Sequence, residues 1–170
     1  MNANPLLNVV LVSPEIPYNT GNIIRLCANV GANLHLVEPL GFILDNPHLR
    51  RASLDYSDLT DILVYNSIDE FFQTVSIGSV YGATIPGTVL YTSPRYQLGD
   101  TIVFGSESVG LPVSLVDKLS LENRVQIPMM PANRSLNISN AAAIIVYEMW
   151  RQIGFSGASA LAHENQSYFS

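Results

Sequence analysis

Three polar, glycine-containing stretches of this chain have the residue types needed to bind a small molecule. They span residues 19–25, 104–112 and 134–140, and each lies beside an apolar segment. Serine, asparagine and arginine are costly to hold at the entrance to a core unless they form hydrogen bonds. Glycine lets backbone amides approach a ligand closely. The three stretches therefore predict one composite small-molecule site.

The glycine-containing loop at 105–110 follows an apolar strand, and ligands of open α/β sheets bind beyond the carboxyl ends of strands. Its glycine spacing is not the dinucleotide-binding pattern, and the phosphate-binding pattern also fails because position 111 is leucine. These mismatches disfavour ATP hydrolysis. A tight turn followed by a helix cap is the structural alternative for this loop taken alone.

The segment at 127–131, Ile-Pro-Met-Met-Pro, leaves the last predicted strand. Two prolines remove amide donors and restrict the backbone. An apolar, carbonyl-rich loop suits the flat face and the exocyclic amine of an adenine. A rigid connector is the alternative interpretation.

The composition indicates one folded domain of a protein that associates with itself. The chain has 170 residues, of which 48% are hydrophobic and 13% charged. So low a charged fraction favours a homo-oligomer, because an apolar surface patch needs a partner. We predict a domain over residues 1–157 and a flexible C-terminal tail over 158–170.

The charges and the cysteine limit the partners and the compartment. A net charge of −6 argues against broad, charge-driven nucleic-acid binding, and Lys118 is the only lysine, so phosphate contacts fall to arginine. Cys27 is the only cysteine and is expected in the core. The sequence has no secretory leader pattern and no apolar run of bilayer length. The expected protein is cytoplasmic, without a membrane or metal partner.

Hydrophobic periodicity predicts alternating strands and helices. Strands are expected at 7–12, 34–37, 62–65, 80–85, 101–104 and 124–127. Helices are expected at 23–30, 47–54, 68–75, 112–118 and from Asn137 or Ser139 to about 153, with residues 86–100 as loop. This alternation is typical of an α/β fold with a mostly parallel sheet flanked by helices.

The three stretches, in this order and together with Ile127-Pro128-Met129, resemble the three ordered motifs of the SPOUT methyltransferases. Within that superfamily they are most similar to the bacterial tRNA 2′-O-methyltransferases of the wobble nucleotide, cytidine or a modified uridine in tRNA-Leu-type substrates. The segments 15–17, 50–52 and 54–56 also match that group. The similarity covers about residues 7–157.

The resemblance implies a sheet whose C-terminal segment is threaded into a deep trefoil knot, with S-adenosylmethionine bound by the knot loops. It also implies a homodimer in which the partner's first motif helix completes each site, and the anticodon stem-loop of tRNA as the substrate. The implied cofactor-binding residues are Ala83, Thr84, Gly105, Glu107, Ile127, Met129, Ser135, Leu136 and Asn140.

The resemblance also implies the reaction residues. Arg25 matches the catalytic-motif arginine, and we expect it to orient a nucleotide phosphate rather than act as a base, because a guanidinium stays protonated. Asn19 and Asn22 are expected to hold the ribose or the neighbouring loop, although Asn19 could simply cap the first helix. Arg50 and Arg51 are the expected phosphate contacts, with ordinary surface arginines as the alternative.

Glu107 has two possible roles under this resemblance. It could tie the second motif to the third, or it could favour the cationic sulfonium electrostatically. The structural alternative is a loop carboxylate in water.

Other functions stay open at this point. The chain could methylate another tRNA or rRNA site, or it could bind RNA as a non-catalytic dimer. A serine hydrolase is disfavoured because position 106 is serine where a nucleophile elbow needs glycine. Its general base would have to be His163, in the predicted tail.

Overall fold

The computed structural model describes residues 6–44, 62–75, 77–133 and 135–159. The strands in these ranges are β1 (Asn8–Val12), β2 (Asn33–Val37), β3 (Ile62–Tyr65), β4 (Val80–Ala83), β5 (Val89–Leu90), β6 (Thr101–Phe104) and β7 (Arg124–Gln126). They form a seven-stranded sheet in the order β3-β2-β1-β6-β4-β7-β5. Every pair of neighbouring strands is parallel. The prediction of an α/β fold with a mostly parallel sheet is confirmed.

Four α-helices accompany the sheet in the described ranges: α1 (Pro17–Val30), α2 (Ile68–Thr74), α3 (Val113–Val116) and α4 (Ile138–Gln152). A 3₁₀ turn at Leu121–Asn123 leads into β7. Helix α1 ends at Gly31, whose φ of 70° is the left-handed conformation that favours glycine. Helix α4 is capped by Asn137, as predicted, because its side-chain oxygen accepts from the Ser139 amide.

Alternating residues of the central strand β1 supply the two hydrophobic layers. Val9 and Leu11 pack into the cluster that contains residues of α1 and α4, whereas Val10 and Val12 pack into the cluster of α2 and α3. All five residues of β1 are buried, as expected for a parallel strand covered on both faces. Cys27 is fully buried in the first cluster, which confirms its expected core role.

The structure differs from the sequence expectations mainly at the start of α1 and in the predicted loop at 86–100. Helix α1 begins at Pro17, six residues before the predicted periodic run. The predicted loop at 86–100 contains the two-residue strand β5, which is too short to give a periodic signal. The predicted helix at 47–54 lies outside the described residues, and so does most of the predicted tail.

Within the described part of the chain, the longest helices are too short or too polar to cross a bilayer.

Candidate ligand site at the carboxyl ends of β4, β6 and β7

A cavity of about 810 Å³ opens where β4, β6 and β7 end. The segments that leave these strands, at 84–86, 105–111 and 127–129, form much of its wall, and residues 135–138 before α4 complete it. Ligand sites of open parallel sheets lie at such strand ends. The cavity therefore falls where the sequence placed its composite site.

The loop after β6 folds back on itself in a very close turn. Ser106 and Gly110 pair as an isolated antiparallel bridge, with the Gly110 amide donating to the Ser106 carbonyl at 2.8 Å. A side chain at Gly105 would place its Cβ 1.9 Å from the Gly110 carbonyl carbon. Glycine at 105 is thus required by the close approach of two backbone segments, and the turn presents Glu107 at its tip.

Glu107 caps α1 from outside the helix. Its carboxylate accepts from the backbone amide of Glu15 at 2.8 Å and from that of Ile16 at 3.1 Å. Ile16 is the N-cap residue of α1 and has no side-chain oxygen to offer. A carboxylate at this position binds the two amides just before the helix and complements its dipole. The alternative of a loop carboxylate in water is wrong.

Asn19 connects Glu107 to the loop that precedes α4. Its Nδ2 donates to Glu107 Oε1 at 3.0 Å, and its Oδ1 accepts from Asn137 Nδ2 at 3.0 Å. Asn19 is 5% exposed and is the third residue of α1. The suggestion that Asn19 caps the first helix is therefore wrong. Glu107 contacts the first motif directly and reaches the third motif through Asn19.

A second pair of contacts fixes the loop after β4. The Gly87 amide donates to Gln126 Oε1 at 2.8 Å, and the Thr84 amide donates to the Val125 carbonyl at 2.9 Å. Gln126 and Val125 belong to β7, so this loop is held against the last strand. Apolar side chains at the two strand ends, among them Ala83 and Ile127, then face the same cavity.

Most of the predicted cofactor residues meet at this cavity. The lining includes eight of them, Ala83, Thr84, Gly105, Glu107, Ile127, Met129, Ser135 and Leu136. The predicted reaction residue Asn19 also lies there. Asn140 is exposed in the first turn of α4 and is not part of the lining.

The other predicted residues lie elsewhere. Asn22 and Arg25 are exposed on α1 and do not line the cavity of their own chain. Arg50 and Arg51 lie outside the described residues.

Several lining residues were not predicted as site residues. Ser106, Val109 and Val113 lie along the turn after β6 and in α3, and Val109 is 82% exposed. Asn137 was expected only as a helix cap. Its contact with Asn19, 118 residues away in the chain, could not be inferred from local spacing. Its presence in one of the three polar stretches was nevertheless a usable signal.

His35, the histidine among the described residues, is a buried core residue and not part of the cavity. It is 1% exposed, its Nε2 lies 3.1 Å from Asn8 Oδ1, and its Nδ1 lies 3.1 Å from the Tyr65 hydroxyl. Burial lowers the pKa of His35 to about 4. It does not line the cavity that contains Ser106 and Ser108, so the described residues offer no serine–histidine pair there. No group of three metal-ligating side chains occurs among the residues described.

A parallel sheet with a cavity at three strand ends, walled by apolar residues and by one helix-capping carboxylate, defines an α/β protein that binds a small ligand between its strand-end loops. Residues 6–147 of this chain match the SpoU rRNA Methylase family. The chain belongs to that family.

The chain is similar to proteins named for one activity over nearly their whole lengths. The tRNA (cytidine(34)-2′-O)-methyltransferase of Escherichia coli strain K12 is 47% identical over 153 residues, which are 90% of this chain and 98% of that protein. A protein of the same name from Burkholderia cenocepacia strain HI2424 is 49% identical over 156 residues, or 91% and 100% of the two chains. A solved structure from work on the 2-OH methylation of C/U34 on tRNA superposes with a TM-score of 0.83 at 37% identity, covering 89% and 99%.

Proposed function

We propose that this chain is a tRNA 2′-O-methyltransferase that uses S-adenosylmethionine to methylate the ribose of nucleotide 34, the wobble position. The acceptor is cytidine or a modified uridine. The observation that carries the proposal is 47–49% identity to proteins of that activity across almost the whole of both chains. The cavity at the predicted cofactor residues supports it independently.

The cavity suits the proposed cofactor chemically. Its volume of about 810 Å³ is within the range of small-molecule sites. Ala83, Ile127 and Leu136 offer apolar surface to an adenine, while the Glu107 carboxylate adds negative charge to the cavity wall, which favours a cationic ligand. The bound cofactor supplies a methyl group on a sulfonium that is already a good leaving group.

The protein's own work is alignment and proton removal. Bound S-adenosylmethionine would give its methyl group to the 2′-oxygen and leave as a neutral thioether, and the protein would have to align the two reactants. The hydroxyl proton goes to an oxygen of the nucleotide phosphate. Arg25 orients that phosphate, since its guanidinium stays protonated and cannot accept the proton itself. Asn22 lies on the same exposed face of α1 and can contact the same nucleotide.

A second copy of the chain brings α1 to the site. Arg25 does not line its own chain's cavity. Apolar side chains are exposed on α1 and α4, where Tyr18 is 55%, Tyr147 45% and Ile144 37% accessible. Such a face favours association with a partner. We propose a homodimer in which each α1 completes the partner's site, and sedimentation of the purified chain as a monomer would contradict it.

Further features of the proposal follow from the resemblance to the SPOUT methyltransferases and not from contacts within the structure. The anticodon stem-loop is the part of tRNA engaged, with Arg50 and Arg51 contacting phosphates and Asn140 reaching the cofactor. The C-terminal part of the chain forms a deep trefoil knot within a domain over residues 1–157, with residues 158–170 outside that domain. The protein acts where tRNA is processed, in the cytoplasm.

Two other functions remain to be separated from this one. A related methyltransferase could act at another tRNA position or on rRNA, and a non-catalytic dimer could bind RNA without turnover. No observation favours either of these functions over methylation of nucleotide 34.

Transfer of labelled methyl from S-adenosylmethionine to unmodified tRNA-Leu transcripts tests the proposal. We expect incorporation into the transcript with a ribose at position 34. A transcript with a 2′-deoxyribose at that position alone should not be labelled. Equal labelling of the two transcripts would place the reaction elsewhere, and binding without transfer would favour the RNA-binding module.

A further inference from the structure

We propose that Asn137 is a positioning residue, which sets the loop 135–137 against α1 through Asn19 and so holds the cofactor cavity in its binding shape. This inference rests on the proposed function, because it assigns a role in cofactor binding. Its starting point is a continuous line of hydrogen bonds, Asn137 to Asn19 to Glu107, in which all three residues line the cavity.

Both ends of the Asn19 amide are engaged by the protein itself. Its oxygen accepts from Asn137 and its nitrogen donates to Glu107, both at 3.0 Å, while the side chain is 5% exposed. These contacts and the burial of the side chain favour the second of its two expected roles, holding the neighbouring loop. We therefore assign Asn19 a positioning role as well.

The chemistry of the neighbours decides how Asn137 must point. Its Oδ1 accepts from the Ser139 amide at 2.9 Å and from the Ser139 hydroxyl at 2.6 Å. The cap of α4 therefore needs the oxygen end on that side. Only the NH₂ end then faces Asn19, whose oxygen is the group that can accept it. The cap and the bridge together allow one orientation of this amide.

The hydrogen bond between Asn137 and Asn19, called the bridge below, fixes the position of the loop in a way that apolar packing alone does not. Leu136 and Ile138, on either side of Asn137, contribute apolar surface to the cavity. Apolar contacts tolerate sliding, whereas a hydrogen bond has a preferred distance and direction. Loss of the bridge should therefore loosen the cofactor loop while the hydrophobic core of α1 and α4 stays intact.

The Asn137→Asp variant breaks the bridge without removing the cap. Aspartate caps a helix as well as asparagine does, so the melting temperature should stay near that of the parent chain. The new carboxylate, however, cannot donate to Asn19. If the Asn19 amide turns around to donate to that carboxylate, its oxygen then faces Glu107. In either orientation two acceptors oppose each other.

The Glu107→Gln substitution should partly relieve this conflict. In the double variant, a reversed Asn19 can donate to the new carboxylate and accept from the new amide, so the line of hydrogen bonds runs in the opposite direction. One contact is still lost, because Glu107 Oε1 also accepts from the Ile16 amide. The double variant has the same net charge as the parent chain, which removes overall charge as an explanation.

The test is isothermal calorimetry of S-adenosylhomocysteine binding to the full chain and to the two single and one double variants. We expect each single substitution to weaken binding about tenfold, and the double to weaken it about tenfold rather than the hundredfold of independent effects. Ser67→Ala is the matched control, because it removes the cap of α2, where Ser67 accepts from Glu70, far from the cavity lining. It should lower the melting temperature and leave the affinity unchanged.

The possible failures are distinct. Additive losses in the double variant, or parent-like affinity in Asn137→Asp, would overturn the positioning role alone. Failure of the parent chain to bind S-adenosylhomocysteine would overturn both this role and the proposed function. Coupled losses in affinity without methyl transfer to tRNA would support the positioning role and contradict only the proposed acceptor.

Discussion

Glu107 illustrates how far single residues could be understood from the sequence. The resemblance of its loop to a SPOUT motif implied a cofactor-binding carboxylate, and its two expected roles were a tie between motifs or an electrostatic one. The contacts to Glu15, Ile16 and Asn19 could not be predicted, because these partners are about 90 residues away in the chain. Residue type and local context identify candidates, but the fold chooses their partners.

Arg25 is expected to act on the acceptor and not on the cofactor. Arg25→Ala should lower the rate of methyl transfer at least about a hundredfold, because a positioned charge is lost from the reacting nucleotide. The affinity for S-adenosylhomocysteine should change less than twofold, since Arg25 is expected to contact the acceptor's phosphate rather than the cofactor. Single-turnover kinetics and calorimetry measure the two effects.

Arg25→Lys is the control for charge alone. It keeps the cation but loses the planar fork that grips a phosphate, so its rate should lie between those of the parent chain and Arg25→Ala. Unchanged turnover in Arg25→Ala would refute the assigned role.

His35 should make the fold sensitive to acid. The neighbouring Asn8 Nδ2 donates to the Gly99 carbonyl at 3.2 Å, which leaves Asn8 Oδ1 to accept from His35 Nε2. The Tyr65 hydroxyl then donates to Nδ1, and the ring is neutral. The folded pKa of His35 is about 4, below its ordinary value of 6.5.

As the pH falls from 6.5 to 4, the unfolded chain therefore binds a proton that the native chain does not. The free energy of unfolding should fall by up to about 3 kcal/mol over this interval from this group alone. Chemical denaturation at a series of pH values measures it. His35→Gln should be less stable at pH 7 and should show a flatter pH dependence; an unchanged slope would contradict the argument.

At the scale of elements, the parallel sheet could be predicted from the sequence, because its strands are short apolar runs separated by segments with helical periodicity. Strand β6 was predicted with its observed bounds, Thr101–Phe104. The first turn of α1 was missed, because Pro17-Tyr18-Asn19-Thr20-Gly21 is typical of a turn. That turn is helical partly because the Glu107 carboxylate satisfies the amides at its start, a long-range contact that no local pattern contains.

The close turn after β6 gives a test of one element. Gly105→Ala should prevent the turn from closing, because its Cβ would lie 1.9 Å from the Gly110 carbonyl carbon. We expect loss of S-adenosylhomocysteine binding and a strong loss of stability. Gly110→Ala is the comparison within the same turn: its φ is +78° but no atom lies within 4 Å of the new Cβ. It should cost only about 1 kcal/mol of unfolding free energy.

Chemical denaturation and calorimetry on the two variants measure the difference. Equal effects of the two substitutions would show that conformational freedom, rather than the close backbone approach, explains the glycine at 105.

At the scale of the whole molecule, the charge distribution sets how the protein can bind RNA. The chain has eight lysines and arginines and a net charge of −6. Among the described residues, Lys118 pairs with Asp69 and Arg151 with Glu148 on the surface. With eight lysines and arginines per protomer at most to contact phosphates, shape and base contacts must provide much of the recognition.

The number of cations should accordingly limit how strongly the affinity for tRNA depends on salt. With at most eight phosphate contacts, one for each lysine or arginine, the slope of log K against log salt should be no steeper than about −7 for each protomer in contact. Fluorescence titrations of a labelled anticodon stem-loop between low and moderate salt measure the slope. A slope twice as steep per protomer would contradict this account of the surface. A long duplex RNA of unrelated sequence is the control, and it should bind weakly at all salt concentrations.

The central claim is methylation of the ribose at nucleotide 34 of tRNA, and nucleoside mass spectrometry of tRNA from cells with and without this protein tests it most directly. The account predicts 2′-O-methylated nucleotide 34 in the first tRNA pool, its absence from the second, and its return when the parent chain, but not Arg25→Ala, is supplied. An unchanged level of that nucleotide in cells without the protein would contradict the account.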